Sequence, residues 1–261
     1  MVSTTETAVL AQIDTDPNYK RVAKAIEEAI MTGRLKEGDL LPTETDLAQQ
    51  LGVNRSTVRE GIRALENADL VKRAGGKRLV VSVPQPSDVA WVNMRALGLM
   101  NVSFLDLWEV QLDLEPFAAS TAAERITPDL VEALRRNVLE LREILEDDRK
   151  VIENDIAFHH LVAQAAGNSV LDLISAPIRV LLFSATTDLY QAVPQARHRL
   201  LAAHEAIVIE IAAGNVATAR QWMARHIEDF RRGYEVAGFD MRRPIPFDPE
   251  AFERCARIGA V

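Results

Sequence analysis

The chain has 261 residues, 48% of them hydrophobic, which is enough for one large or two ordinary domains. Only 5% are aromatic, which together with Ala- and Leu-rich segments favours helix. A single cysteine, Cys255, excludes an internal disulfide and suits a reducing compartment. The net charge of −8 alone argues against nucleic acid, but residues 19–81 hold 12 Lys and Arg against 9 Asp and Glu, so the acid excess lies elsewhere in the chain. Two domains with different partners is the simplest reading of that asymmetry.

In chain order, the start, MVSTTETAVLAQIDTD, is acidic and lacks the basic region of a signal peptide. YKRVAKAIEEAIMTG reads as a helix ending at Gly33, followed by the loop RLKEGDLLP. ETDLAQQLG is a short helix stopped by Gly52, and VNRSTVREGIRALENADL is a second. Two short helices joined by a tight Gly-containing turn form a helix-turn-helix layout. Arg55, Arg59 and Arg63 recur every fourth residue on the second helix, pointing away from Val58, Ile62 and Leu65. LVKRAGGKRLVVSV then alternates as a hairpin tipped by Gly75–Gly76, with Lys72, Arg73, Lys77 and Arg78 around the tip. A solvated helix face explains any one of these arginines. The ordered set of helix, turn, basic helix and basic wing points instead to DNA, with one element in the major groove and the other on phosphates or the minor groove.

This segment resembles the winged-helix domain of the GntR family of bacterial transcription regulators, through its G-x-x-L-P-[ST]-E-x-x-L-A run and R-x-x-V-R-E core. The resemblance implies that Asn54, Arg55, Ser56, Thr57, Arg59 and the wing residue Gly76 contact operator DNA; Lys77, beside Gly76 at the basic tip, joins them as a candidate. Two positions depart from the pattern. Thr45 stands where an arginine is frequent, and Gly61 stands where alanine is frequent, at a cost of roughly 1 kcal/mol in helix propensity.

The two prolines of VSVPQPSD mark a linker. The expected organisation is a winged helix-turn-helix domain over residues 15–82, a linker over 83–88, a helical domain over 89–237 and a tail over 238–261. From residue 88 onward the periodicity is helical throughout, so the fold class is mainly α: the N-terminal domain carries a small β-wing, and the C-terminal domain is an all-α bundle of six or seven helices. Thr127–Pro128 is an N-cap with proline at the first helical position; Pro116 and Pro177 should kink their helices, and Gly167, Gly214 and Gly233 sit near helix ends. The most apolar run, VLDLISAPIRVLLFSA, is interrupted by Asp172, Pro177 and Arg179, so no membrane span is expected and the protein should be soluble and cytoplasmic.

One stretch breaks the pattern of the core. In NDIAFHHLVAQAAG, residues 154–167, Asp155 and His159 lie mid-stripe with Val151, Ile152, Phe158, Val162, Ala163 and Ala166, while His160 points to water. A carboxylate there is costly unless it is paired or bound to metal. His204, among Leu200, Leu201, Ile207, Val208 and Ile211, and His226, with Ala219, Trp222, Met223 and Phe230, repeat the anomaly. A lone core histidine is ordinary. Three histidines and an aspartate aimed inward from three helices make a divalent-metal site, with a hydrogen-bonded polar network as the alternative.

This half resembles the FCD effector domain, the FadR-type module of GntR regulators, through D-x-x-F-H (Asp155, Phe158, His159), AAGN ending at Asn168, AHEAI and RHI. Together the two resemblances run from about Tyr19 to Val236. They imply a homodimer reading a palindromic operator, with repression the family habit. They also imply a Zn, Ni or Mn ion on Asp155, His159, His204 and His226, whose coordination a small carboxylate effector completes. Family members often carry an effector-gripping arginine in E-[VL]-R-x-x-x-E; here the segment is EVQLDLE, and Gln111 becomes the effector-binding candidate. The alternative is the same regulator with a structural site and a metal-independent, acyl-CoA-like effector. A metal-dependent hydrolase is least favoured, since no general acid, base or nucleophile recurs near the ligands.

Overall fold

The structure is a computed structural model that describes residues 17–76, 78–83 and 86–246, without the side chains of residues 86–88 and 91. The chain divides into two compact units, Met1–Pro84 and Gln85–Val261. The division falls within the expected linker, of which residues 86–88 are already helical.

The first unit contains α1 (Asn18–Met31), α2 (Glu44–Leu51), α3 (Arg55–Asn67), β1 (Val71–Ala74) and β2 (Arg78–Val81). Thr43 caps α2 by accepting from the Asp46 amide, and Gly52 ends that helix in the left-handed region at φ 66°. Asn54 then caps α3. Val58 and Ile62, fully buried on α3, pack with Val22 and Ile26 of α1 and with Leu47, Val71 and Val81; burying a side chain of this size contributes about 1.5–3 kcal/mol. β1 and β2 pair antiparallel, Val71 opposite Val81, around a tip where Gly75 and Gly76 take φ of 57° and 93°. The loop before α2 is not wholly irregular. Leu40 bridges to Val80, and the Leu41 amide donates to the Leu79 carbonyl, so this segment lies along the free edge of β2.

Gly61 has a packing reason. A Cβ there would lie 2.8 Å from Val22 Cγ1 and 3.0 Å from the Tyr19 carbonyl oxygen, so the missing methyl lets α1 close on α3.

The second unit is seven helices: α4 (Pro86–Leu99), α5 (Phe104–Arg125), α6 (Pro128–Glu143), α7 (Asp148–Ala165), α8 (Ser169–Ala192), α9 (Ala196–Ala212) and α10 (Val216–Ala237). A capping box between Ser103 and Asp106 starts α5, Thr127 with Pro128 starts α6, and Asn168 starts α8. Pro116 and Pro177 lie within helices that continue past them. Gly233 lies in the last stretch of α10, which ends at Ala237 and is capped by Gly238 at φ 71°; it is buried, with Leu189 Cδ1 only 2.9 Å from where its Cβ would be. α5 packs against α7 and α10, α7 lies against α6 and α8, and α9 against α6 and α10. α8 is long and apolar enough to cross a membrane by length and composition, but 56% of its most apolar window is buried inside the protein.

Part of the tail folds back on this unit. The Leu105 amide donates to the Met241 carbonyl, the Ile245 amide to that of Val102, and Ile245 is buried. The remainder of the tail, 247–261, lies outside the described residues, as does Cys255.

Candidate metal centre and nucleic-acid interface

Asp155 and His159, one turn apart on α7, meet His204 from α9 and His226 from α10. Each offers one ligand atom, and these four atoms lie within 4.8 Å of one another. His159 Nε2 is 3.2 Å from His226 Nε2, and Asp155 Oδ1 is 3.1 Å from His204 Nε2 and 3.7 Å from His159 Nε2. Donors bound to one ion at ~2.0–2.2 Å stand ~3.0–3.5 Å apart, so these three separations suit a single small divalent cation, on which the widest pair of the set would have to close. The unsatisfied atoms agree. Asp155 Oδ1 and His204 Nε2, although 3.1 Å apart, are not aligned for a hydrogen bond, and both are buried without a partner. Four potential ligand atoms this close together, two of them buried and otherwise unsatisfied, fit a metal.

The rings are held from behind. His204 is fully buried and stacks on Phe158, centroids 3.6 Å apart and planes at 12°. His159 Nδ1 pairs at 2.8 Å with Glu115 Oε2 on α5, both nearly fully buried. A carboxylate on one ring nitrogen leaves the other for a metal. Burial alone would raise the Glu115 carboxyl, but His159 and then Arg179 outweigh it and hold it below the usual range. Burial would lower His159, and Glu115 with Asp155 overcomes this and raises it. Burial pushes His204 down, and pushes His226 down further with help from the other two imidazoles, towards the neutral form a metal ligand takes, whereas His159 would have to give up the proton its carboxylates favour. For Asp155, burial is outweighed by His204 at close range and then by His159 and His226, which lower it to about 2.

The sequence pattern brings these four residues together but not their surroundings. Glu115, one turn after Gln111, carries no signal of its own in the sequence. Arg179, in the sequence a charge interrupting an apolar run, is buried; its Nη2 donates to Asp172 Oδ1 at 2.8 Å, and its Nη1 lies 3.6 Å from Glu115 Oε1. A wheel centred on Arg179 would have placed Asp172, Ser175 and Thr186 on its stripe. His160 corrects the expectation of a solvated side chain: it is half-buried, with Nδ1 3.1 Å from Asp172 and Nε2 2.9 Å from the Gln164 amide.

The cluster opens on a cavity of about 330 Å³ between α7, α8, α9 and α10, with Gln111 of α5 in its wall. Asp155 and His159 line it with Arg179, Tyr190 and Trp222, and the ion pair Arg199–Asp229 (2.8 Å) stands on its more exposed side. The volume falls in the range of small-ligand sites. Gln111 is buried in the wall, and its Oε1 has no hydrogen-bond partner.

On the first unit, Asn54 caps α3. Its Oδ1 accepts from the Thr57 amide at 2.8 Å and from the Ser56 and Thr57 hydroxyls, which ties the three residues together at the start of α3. Arg55 is exposed in the next position. Arg59 is half-exposed and donates through Nε and Nη2 to Glu44 of α2. Glu44 also lies 3.7 Å from Arg73, which in turn pairs with Glu66 at 2.8 Å, so one carboxylate ties α3 to β1. Gly76 is exposed at the hairpin tip, and Lys77 lies outside the described residues.

A winged helix-turn-helix with a basic helix face, followed by a helical domain enclosing a ligand-sized cavity, defines a two-domain transcription regulator. Comparison with known proteins agrees. Residues 18–81 match the gntR family of bacterial regulatory proteins, and residues 106–229 match the FCD domain. The chain is 30% identical over 212 residues to the HTH-type transcriptional regulator LutR of Bacillus subtilis, covering 78% of this chain and 97% of that protein. It is 29% identical over 156 residues to the HTH-type transcriptional repressor NanR of Cronobacter sakazakii, covering 57% of this chain and 58% of NanR. A Streptococcus agalactiae GntR structure superposes with a TM-score of 0.59 at 26% identity, covering 82% of this chain and 99% of that one. The chain belongs to the GntR family, with an FCD domain following the DNA-binding domain, and is a DNA-binding transcription regulator rather than an enzyme.

Proposed function

We propose that the chain is a repressor whose hold on its operator is relieved by a small organic acid bound in the α7–α10 cavity beside a divalent metal ion. The observation that carries this reading is the convergence of four donor atoms from three helices, two of them buried without partners, on the wall of a cavity of about 330 Å³. Asp155, His159, His204 and His226 would hold the ion, which when bound supplies positive charge and open coordination positions for an oxygen ligand. Glu115 fixes His159 with Nε2 facing the cluster, and the Phe158 stack fixes the plane of His204.

Two copies of the chain would read a palindromic operator, each α3 entering the major groove with Arg55 and Arg59 over base edges and the wing at the backbone. Asn54, Ser56 and Thr57 set the start of α3, and Gly76 and Lys77 bring the wing to the phosphates. An effector can shift this protein only by binding one arrangement of the bundle more tightly than another. The NanR likeness supports repression, since that relative is named a repressor.

The test is fluorescence anisotropy on an operator selected from random duplexes, with metal-loaded and chelator-treated protein, titrated with a panel of hydroxy and sugar acids. Release of DNA by an acid from loaded protein, and not from stripped protein, is expected. Acid-dependent release that survives stripping would overturn the metal's part in the reading.

A further inference from the structure

The cavity wall carries a buried cation beyond what the metal cluster needs. Arg179, on α8, has a side chain only 3% exposed, yet it lines the cavity. Nη2 is committed to Asp172, whereas Nη1 has no hydrogen-bond partner, and Glu115 Oε1, 3.6 Å from it, is equally unsatisfied. Leaving a guanidinium N–H unmade in a buried site is costly, and such groups are met by a ligand or ordered water. Also in the wall, Gln111 Oε1 is a second buried polar atom without a partner. Glu115 links this corner to the cluster, with Oε2 on His159 and Oε1 towards Arg179.

From this arrangement, which rests on the reading of the cavity as an acid-binding site, we infer that Arg179 is the residue that selects a carboxylate. The acid's carboxylate accepts from Arg179 Nη1 while another of its oxygens faces the Asp155–His159 side, and Gln111 hydrogen-bonds a polar substituent between them. Metal coordination alone would accept any oxygen donor of suitable shape. Arg179 adds a charge-assisted bond that an amide or alcohol analogue cannot match. Position 111 carries no charge and cannot supply this discrimination. Because Asp172 holds the other side of the guanidinium, the fork is oriented before a ligand arrives, and less freedom is lost on binding.

The test is isothermal titration calorimetry on full-length, metal-loaded protein with L-lactate, D-glucuronate and citrate. Lactamide and glucuronamide serve as uncharged partners, and metal content is measured on every sample. Wild-type protein should bind at least one acid, with at least tenfold preference over its amide. Arg179→Gln should lose that preference, weakening the acid tenfold or more while leaving the amide within twofold and the metal content unchanged. Arg179→Lys keeps the charge in the same pocket and should retain part of the preference, so a Gln variant that misfolds leaves the question answerable. Acid affinity within twofold of wild type in both variants would overturn the inference while leaving the acid-binding reading intact. Failure of wild-type, metal-loaded protein to bind any of the three acids would overturn that reading and this one with it.

Discussion

Replacing Glu115 should weaken metal binding even though Glu115 donates no ligand atom. It is 1% exposed, and its Oε2 sits 2.8 Å from His159 Nδ1, so it fixes which ring nitrogen carries the proton and where the other points. Carboxylates in this position typically change metal affinity by about 10–100-fold, or ~1.4–2.8 kcal/mol at 1.36 kcal/mol per decade. Glu115→Gln keeps the volume and an acceptor but loses the charge, so about tenfold is expected. Glu115→Ala also removes the acceptor and should approach a hundredfold. Competition against a chromophoric zinc chelator at neutral pH reads the difference directly. If both variants stay within twofold of wild type while remaining folded, the ring orientation of His159 does not depend on Glu115, and the argument from the α5 carboxylate is wrong.

Gly61→Ala should lower the melting temperature of the DNA-binding unit, because the 2.8 Å approach to Val22 Cγ1 outweighs the roughly 1 kcal/mol that alanine gains as a helix former; a rise in thermal scans would show that α1 can give way freely. Arg55→Ala should weaken operator binding by about 1–3 kcal/mol in anisotropy titrations if Arg55 reads a base, and unchanged binding would remove it from the interface. For metal-stripped protein, Asp155 has its folded pKa held near 2, below its unfolded value, so its contribution is complete above the unfolded value near 4 and disappears as pH falls towards 2. Glu115 and Asp172, also held low, act in the same sense. His159, raised in the fold, acts oppositely, contributing below its unfolded value and losing that contribution as pH rises through its folded one. In urea denaturation, stripped wild-type protein should therefore exceed Asp155→Asn by about 2 kcal/mol at pH near 5, with the gap closing below pH near 3. A gap that stays constant across that range would refute the assignment.

The parts legible in the sequence were those with a period or a local signature. Arg55, Arg59 and Arg63 stand out because they recur on one face of a short helix, and Asp155, His204 and His226 because a polar residue at the centre of an apolar stripe violates the pattern around it. The same test finds Arg179, but only when applied to an apolar run long enough to be read first as a possible membrane span. Glu115 was harder to see, since its importance comes from Arg179 and His159, which are remote in sequence and reach it only through packing of α5 against α7 and α8. Leu40 pairing with Val80 is likewise non-local, and no turn residue announces it. Gly61 and Gly233 look like a propensity fault and a helix end; both are explained by neighbours, Val22 and Leu189, that propensity does not include.

Elemental analysis of untagged protein beside an Asp155→Ala, His204→Ala double variant tests most directly whether the aspartate and three histidines hold a metal. About one Zn, Ni or Mn ion per chain in wild type, and none in the folded double variant, is the expected outcome. Wild-type protein that takes up none of these ions after loading would make the cluster a hydrogen-bonded polar network and end the case for a metal-assisted effector site.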